Sequence, residues 1–105
     1  MDEKENEDKT GIFYKKKGLE FLNNGEYEAA QYQFSHGLKI LKCNDTLDGI
    51  LLKQQLMYHR CKAFFYLSNE YYPKILNDLS AAIKYAPSSA FAIKCLFLKC
   101  DVLNK

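Results

Sequence analysis

The chain reads as an all-α protein, and three observations carry that expectation. Apolar and aromatic residues recur at Ile12, Tyr14, Phe21 and Leu22, then at Tyr27, Phe34, Leu38 and Leu41, a helical period rather than an alternation. Small residues, Gly18, Ala30 and Gly37, stand where two such helices would touch. The plan then returns downstream, since Ala30 to Ile75 and Gly37 to Ala82 are both separated by 45 residues. A fixed period of that order marks stacked helical units, because one hairpin alone leaves an apolar face in water and a neighbour buries it.

The first helix carries Ile12 to Leu22, and Asn23, Asn24 and Gly25 separate it from the second. A glycine just past a helix end is the usual left-handed cap. Gly18 and Ala30 let the two axes approach to the short end of the usual packing range, about 8–10 Å. Glycine inside a helix costs roughly 1 kcal/mol against alanine, so it needs a packing reason. Gly37 makes the same demand and would admit the third helix. Cys43 to Leu47 reads as a loop in which Asp45 or Thr46 caps that helix, and Leu47, Ile50, Leu51 and Leu56 lengthen it by about two turns. In the second hairpin Cys61 takes the small position, and Ile75, Leu79 and Ala82 line the facing helix.

The last helix, residues 89–103, is apolar most of the way round. Ala90, Ile93 and Phe97 form one stripe, Phe91, Cys95, Leu98 and Val102 a second, and Leu96 and Leu103 fall on neither. A terminal helix should present a polar outer face. This helix is therefore expected to meet a further repeat, a partner or a second copy of the chain.

Length and composition agree. At 105 residues the chain makes one small domain, and 48% hydrophobic and 27% charged residues are ordinary globular values. Residues 1–9 hold five acids and two lysines, enough polarity to read as a disordered acidic tail ahead of a domain over 10–105. The remaining excess of positive charge is spread thinly and no nucleic-acid reading motif occurs, so no nucleic acid is expected as a partner. No basic start with an apolar stretch and no apolar run of about 18 residues occurs, so no membrane partner is expected and the location reads as cytoplasmic.

Four cysteines, Cys43, Cys61, Cys95 and Cys100, sit in helical patterns and read as reduced core residues. Zinc held by His59, Cys61, Cys95 and Cys100 is the metal alternative. Cys95 and Cys100 would point about 140° apart on one helix, which disfavours it. Ser35 and His36 are neighbours on a helix and do not face each other, no phosphate-cradling glycine loop occurs, and no His-Glu-x-x-His is present. No cofactor, no metal and no enzymatic activity are expected.

These residues resemble the tetratricopeptide repeat. Tyr14, Gly18, Phe21, Gly25-Glu26-Tyr27, Ala30, Phe34 and Gly37 meet that family's pattern in the first unit. Arg60-Cys61, Phe64, Tyr72, Ile75, Leu79, Ala82 and Pro87 meet it in the second, with about two extra residues in the turn around Ser68 to Tyr71. The resemblance implies antiparallel hairpins stacked as a right-handed superhelix: repeat one over about 11–43, repeat two over about 47–87, and 89–103 as a capping or third-repeat helix, five helices in all. It also implies a concave groove, lined by the first helix of each repeat, that holds an extended peptide. By repeat position the groove residues would be Lys15, Leu19, Leu22 and Asn23, then Tyr58, His59, Lys62 and Phe65, then Lys94 and Leu98, with Ile12, Tyr66, Phe91 and Cys95 beside them.

One subset of the family grips the C-terminal carboxylate of cytosolic chaperones. Of its clamp, this chain keeps Lys15 ahead of Gly18 but has Leu19 and His59 for the two asparagines, and Phe91 and Cys95 for the last cationic pair. Each charge-assisted hydrogen bond is worth roughly 1.5–3 kcal/mol, so those losses would weaken a carboxylate complex by orders of magnitude. The expected partner is an acidic and hydrophobic peptide bound by a co-chaperone or adaptor type of module, with a cytosolic chaperone as a candidate whose clamp residues are mostly absent. The rival expectation is a scaffold working through the last helix or the convex face.

Overall fold

The computed structural model describes residues 3–105, and among them every regular element is helical. Five α-helices follow in order: α1 (Glu3–Asn23), α2 (Tyr27–Ile40), α3 (Leu47–Leu67), α4 (Tyr72–Tyr85) and α5 (Ala90–Leu103). A single 3-10 turn, Asn69–Tyr71, precedes α4 and takes up the extra residues expected there. Each helix packs on the next in sequence, and α3 also packs on α1 and α5, whereas α2 and α4 do not meet. Helices α1, α3 and α5 thus form one row and α2 and α4 a second, in a body of 46 × 29 × 18 Å. The short dimension fits two helix layers, each about 10 Å thick.

The turn between α1 and α2 is built as the sequence asks. Gly25 has φ +77, its N–H donates to the Leu22 carbonyl at 3.1 Å, and the Glu26 N–H donates to the Phe21 carbonyl at 2.9 Å. These two bonds satisfy carbonyls that the end of α1 leaves open. Helix α3 starts at Thr46, whose hydroxyl accepts from the Gly49 N–H at 3.0 Å. Ser89 caps α5 likewise, accepting from the Ala92 N–H at 3.1 Å.

The small residues work as notches. A Cβ at Gly18 would collide with the ring of Phe34, which is fully buried, and a Cβ at Gly37 would stand 3.0 Å from Leu56 Cδ1 on α3. Around them Ala30, Phe34, Leu41, Leu52, Leu56 and Ala63 form one core. Cys61, Ile75, Leu79, Ala82, Cys95, Leu98 and Val102 belong to the second, between α3, α4 and α5. Arg60 ties the units together, donating to Ser35 on α2 at 3.3 Å and pairing with Asp78 on α4 at 3.2 Å.

Two expectations are corrected. Residues 3–9 are not a disordered tail but the first turns of α1, while Met1 and Asp2 lie outside the described residues. Two of these residues answer Asn44, which is fully buried beyond α2 and whose amide donates to Glu7 and Asp8 at 3.1 Å each. A buried amide without partners is costly, so the acids of α1 are recruited to it, and Lys4 adds an ion pair to Asp45 at 2.9 Å. Next, only Cys61 and Cys95 are core residues, because Cys43 and Cys100 are exposed. Leu19 and Leu22 are half-buried and pack against the first core.

Candidate interaction face

The row of α1, α3 and α5 presents one continuous face, and its centre is His59. The imidazole stacks on Phe34 at 5.6 Å between ring centroids and meets Tyr58 and Phe91 edge-on at 5.3 and 5.7 Å. Because Phe34 is seated in the Gly18 notch, the packing of α1 on α2 fixes the height of this ring. Burial holds the His59 pKa down to about 4, and Lys15, Lys62 and Lys94 lower it further. One lysine comes from each helix of the row, so three cations converge on one neutral imidazole.

Each lysine is held from below. Lys15 donates to Gln55 Oε1 on α3 at 2.9 Å, and its own pKa is lowered first by burial and then by Lys16. Lys62 lies over the Tyr58 ring at 6.0 Å and Lys94 over the Phe91 ring at 4.6 Å. Aromatic faces carry negative potential, so each ring attracts the ammonium above it.

Two clefts flank this centre. Between α3 and α5, Tyr58, Lys62, Phe65, Tyr66, Lys94, Phe97, Leu98 and Asp101 line one depression. Between α1 and α3, Ile12 and Lys15 with Asp8, Asp48, Leu51, Leu52 and Gln55 line the other. The structure therefore brings together Lys15, Tyr58, His59, Lys62, Phe65, Lys94 and Leu98 of the expected set. Leu98 reaches the cleft only as its floor, being almost wholly buried. Leu19 and Leu22 stay with the core, Asn23 is exposed at the last residue of α1, and Cys95 is fully buried beneath α5.

Sequence reasoning missed Gln55, Leu51, Phe97 and Asp101. A signal existed for most of them. Residues 51, 55, 58, 59 and 62 follow one face of a helix, as do 94, 97, 98 and 101, so extending the expected lysine positions by single turns finds them. Elsewhere Ser35 Oγ accepts from Arg60 while His36 stacks on Tyr14 and meets Tyr32 at a tilt, so the two have separate partners. Cys95 and Cys100 lie on opposite sides of α5, one buried and one exposed. No helix among the described residues is long and apolar enough to cross a membrane. The chain matches no family model, no curated protein and no solved structure.

Proposed function

We propose that the chain is a protein-interaction module of the tetratricopeptide kind, a cytoplasmic adaptor of co-chaperone type, and that it acts by binding rather than by catalysis. Its ligand is an extended segment, with acidic side chains at its middle and apolar ones beside them, laid along the face of α1, α3 and α5. The observation that carries this reading is one lysine from each helix of the row around His59: Lys15 on Gln55, Lys62 over Tyr58 and Lys94 over Phe91, the last two rings meeting the imidazole edge-on. A neutral imidazole adds no like charge to the three ammonium groups and leaves a small polar floor beneath them. Acids bound the basic centre on both sides, Asp8 and Asp48 in one cleft and Asp101 in the other, so the ligand's acids belong over the middle.

Charge alone does not hold such a segment. Exposed ion pairs contribute only about 0–1 kcal/mol each, so the lysines steer and align, while apolar contact with Phe65, Tyr66 and Phe97 supplies most of the affinity. Fluorescence anisotropy with labelled peptides of apolar–acidic–apolar pattern tests this. Reversing Lys62 to Glu should weaken binding by about thirtyfold, from the loss of one attraction and the gain of one repulsion of roughly 1 kcal/mol each, and the loss should shrink in high salt. Equal affinity for an uncharged peptide, or no response to Lys62→Glu, would refute the reading.

A further inference from the structure

The outward side of α5 is apolar and uncovered. Ala92, Cys95, Leu98 and Val102 are buried, and α5 packs against α3 and α4. Away from them Ile93, Leu96, Phe97 and Leu103 are 55%, 50%, 68% and 63% exposed, with the exposed thiol of Cys100 among them. At about 100° per residue these five residues fall within an arc of about 120° centred on Cys100, the width of an ordinary helix-packing stripe. A helix apolar on both sides is normally covered on both sides. The other large exposed hydrophobics are dispersed over α1, α2 and α3.

The charges beside the stripe identify what covers it. Lys94 and Asp101 are both exposed and share one edge, within about 20° of each other and about 10 Å apart along the axis. The opposite edge carries Lys99, which donates to Ser80 on α4 at 3.3 Å. When two identical helices pair antiparallel about a two-fold axis, each edge meets the same edge of the other copy, so the surface must be self-complementary. With the axis between Phe97 and Leu98, Lys94 of each chain faces Asp101 of the other. The edge thus neutralises itself against a second copy.

We propose that this face is a homodimer interface, in which two chains pair antiparallel through Ile93, Leu96, Phe97, Cys100 and Leu103 and are aligned by two reciprocal Lys94–Asp101 ion pairs. The interface shares Lys94, Phe97 and Asp101 with the cleft between α3 and α5, so a dimer and a segment laid in that cleft compete for these residues. A stripe from one helix buries less than the roughly 800 Å² per partner of a standard interface, so dimerisation is expected at roughly micromolar concentration. The register also fixes the thiols. The two Cys100 residues are offset by about 7.5 Å along the axis in addition to the roughly 8–10 Å between axes, beyond the Cα separation of about 7 Å that a disulfide spans.

Sedimentation of the full chain across the micromolar range tests the proposal. The mass should climb from 12.2 kDa toward twice that value. Ile93→Asp or Leu96→Asp, at exposed positions outside both clefts, should leave a folded monomer by circular dichroism at every concentration. Lys94→Asp should weaken the dimer at least tenfold, and Lys94→Asp combined with Asp101→Lys should restore it, a rescue that a foreign partner would not require. Mild oxidation should give no Cys100 cross-link. A wild-type chain that stays monomeric, a dimer indifferent to Ile93→Asp, a swap that fails to rescue, or ready cross-linking through Cys100 would each overturn it.

Discussion

Replacing Gly18 by alanine adds one carbon to the place where α1 and α2 are closest. Helix propensity alone favours the change by about 1 kcal/mol. The added Cβ, however, would stand far inside van der Waals contact of the Phe34 ring. Phe34 is fully buried and has His59 stacked on it, so its ring is confined by Gly18 and by the imidazole. Overpacking of this kind costs roughly 1–3 kcal/mol, and a ring that cannot turn away puts the cost at the upper end. After subtracting the propensity gain, Gly18→Ala should destabilise the chain by about 2 kcal/mol, which lowers Tm by roughly 10 °C for a domain of this size.

Urea denaturation with an unchanged slope measures the loss, and a double-mutant cycle identifies its source. Phe34→Leu alone creates a cavity and destabilises, but in the Gly18→Ala background it also relieves the collision. The pair should therefore be less destabilising than the two single changes added together, by about 1 kcal/mol or more. A Gly18→Ala chain as stable as wild type, or additive single effects, would refute the notch as the element that sets the helix approach.

Two further outcomes follow from buried polar groups. His59 has its pKa lowered to about 4 against 6.5 in the unfolded chain, so the unfolded state binds the proton more tightly; the stability it contributes is full above pH 6.5, falls as pH drops toward 4 and is lost below that. Denaturation between pH 6.5 and 5 should show a slope of up to about 1.4 kcal/mol per pH unit that His59→Gln flattens, and an equal slope in both chains would refute this assignment. Gln54, also buried, donates to the Ala82 and Ala86 carbonyls at 3.1 and 3.0 Å and accepts from the Ser89 hydroxyl. Gln54→Leu strips both carbonyls of a donor and frees the α5 cap, so a loss of about 2–4 kcal/mol should appear with faster amide exchange in α5, whereas unchanged exchange would show that the bridge does not hold that helix.

The periodic part of the fold was legible in the sequence. The helix limits around Gly25 and the cap at Thr46 follow from local chemistry, which a sequence displays, while the inserted turn at Asn69–Tyr71 lies where the resemblance left extra residues. Asn44 and Gln54 were not legible, because nothing local marks a polar side chain that will be buried and answered by groups 28–37 residues away. The helical start of α1 over residues 3–9 was not legible for the same reason, since the acids in it bond to that distant amide. At the face, the lysines and His59 lie where helix phase puts them, but phase does not distinguish a leucine that lines a groove from one that closes a core. Leu19 and Leu22 are half-buried against the first core, whereas Phe97 is exposed.

The notch and the face are one mechanical unit, because the ring that fills the Gly18 notch is the ring on which His59 rests. Any change that moves Phe34 must either push His59 outward or open a gap beneath it, and both reduce the burial that is the largest cause of its lowered pKa. Gly18→Ala should therefore raise the His59 pKa from about 4 toward 6.5, measured by NMR titration of its ring proton under conditions where the variant remains folded. The sign follows from desolvation, since water returning to the imidazole stabilises its charged form, while the three lysines still oppose it and keep the value below 6.5. A charged His59 would then join Lys15, Lys62 and Lys94 at mildly acidic pH, and on the reading proposed above it would strengthen the hold on the acidic segment even as the domain itself became less stable. A His59 titration that does not move in a destabilised Gly18→Ala chain would separate the packing of the first hairpin from the face it supports.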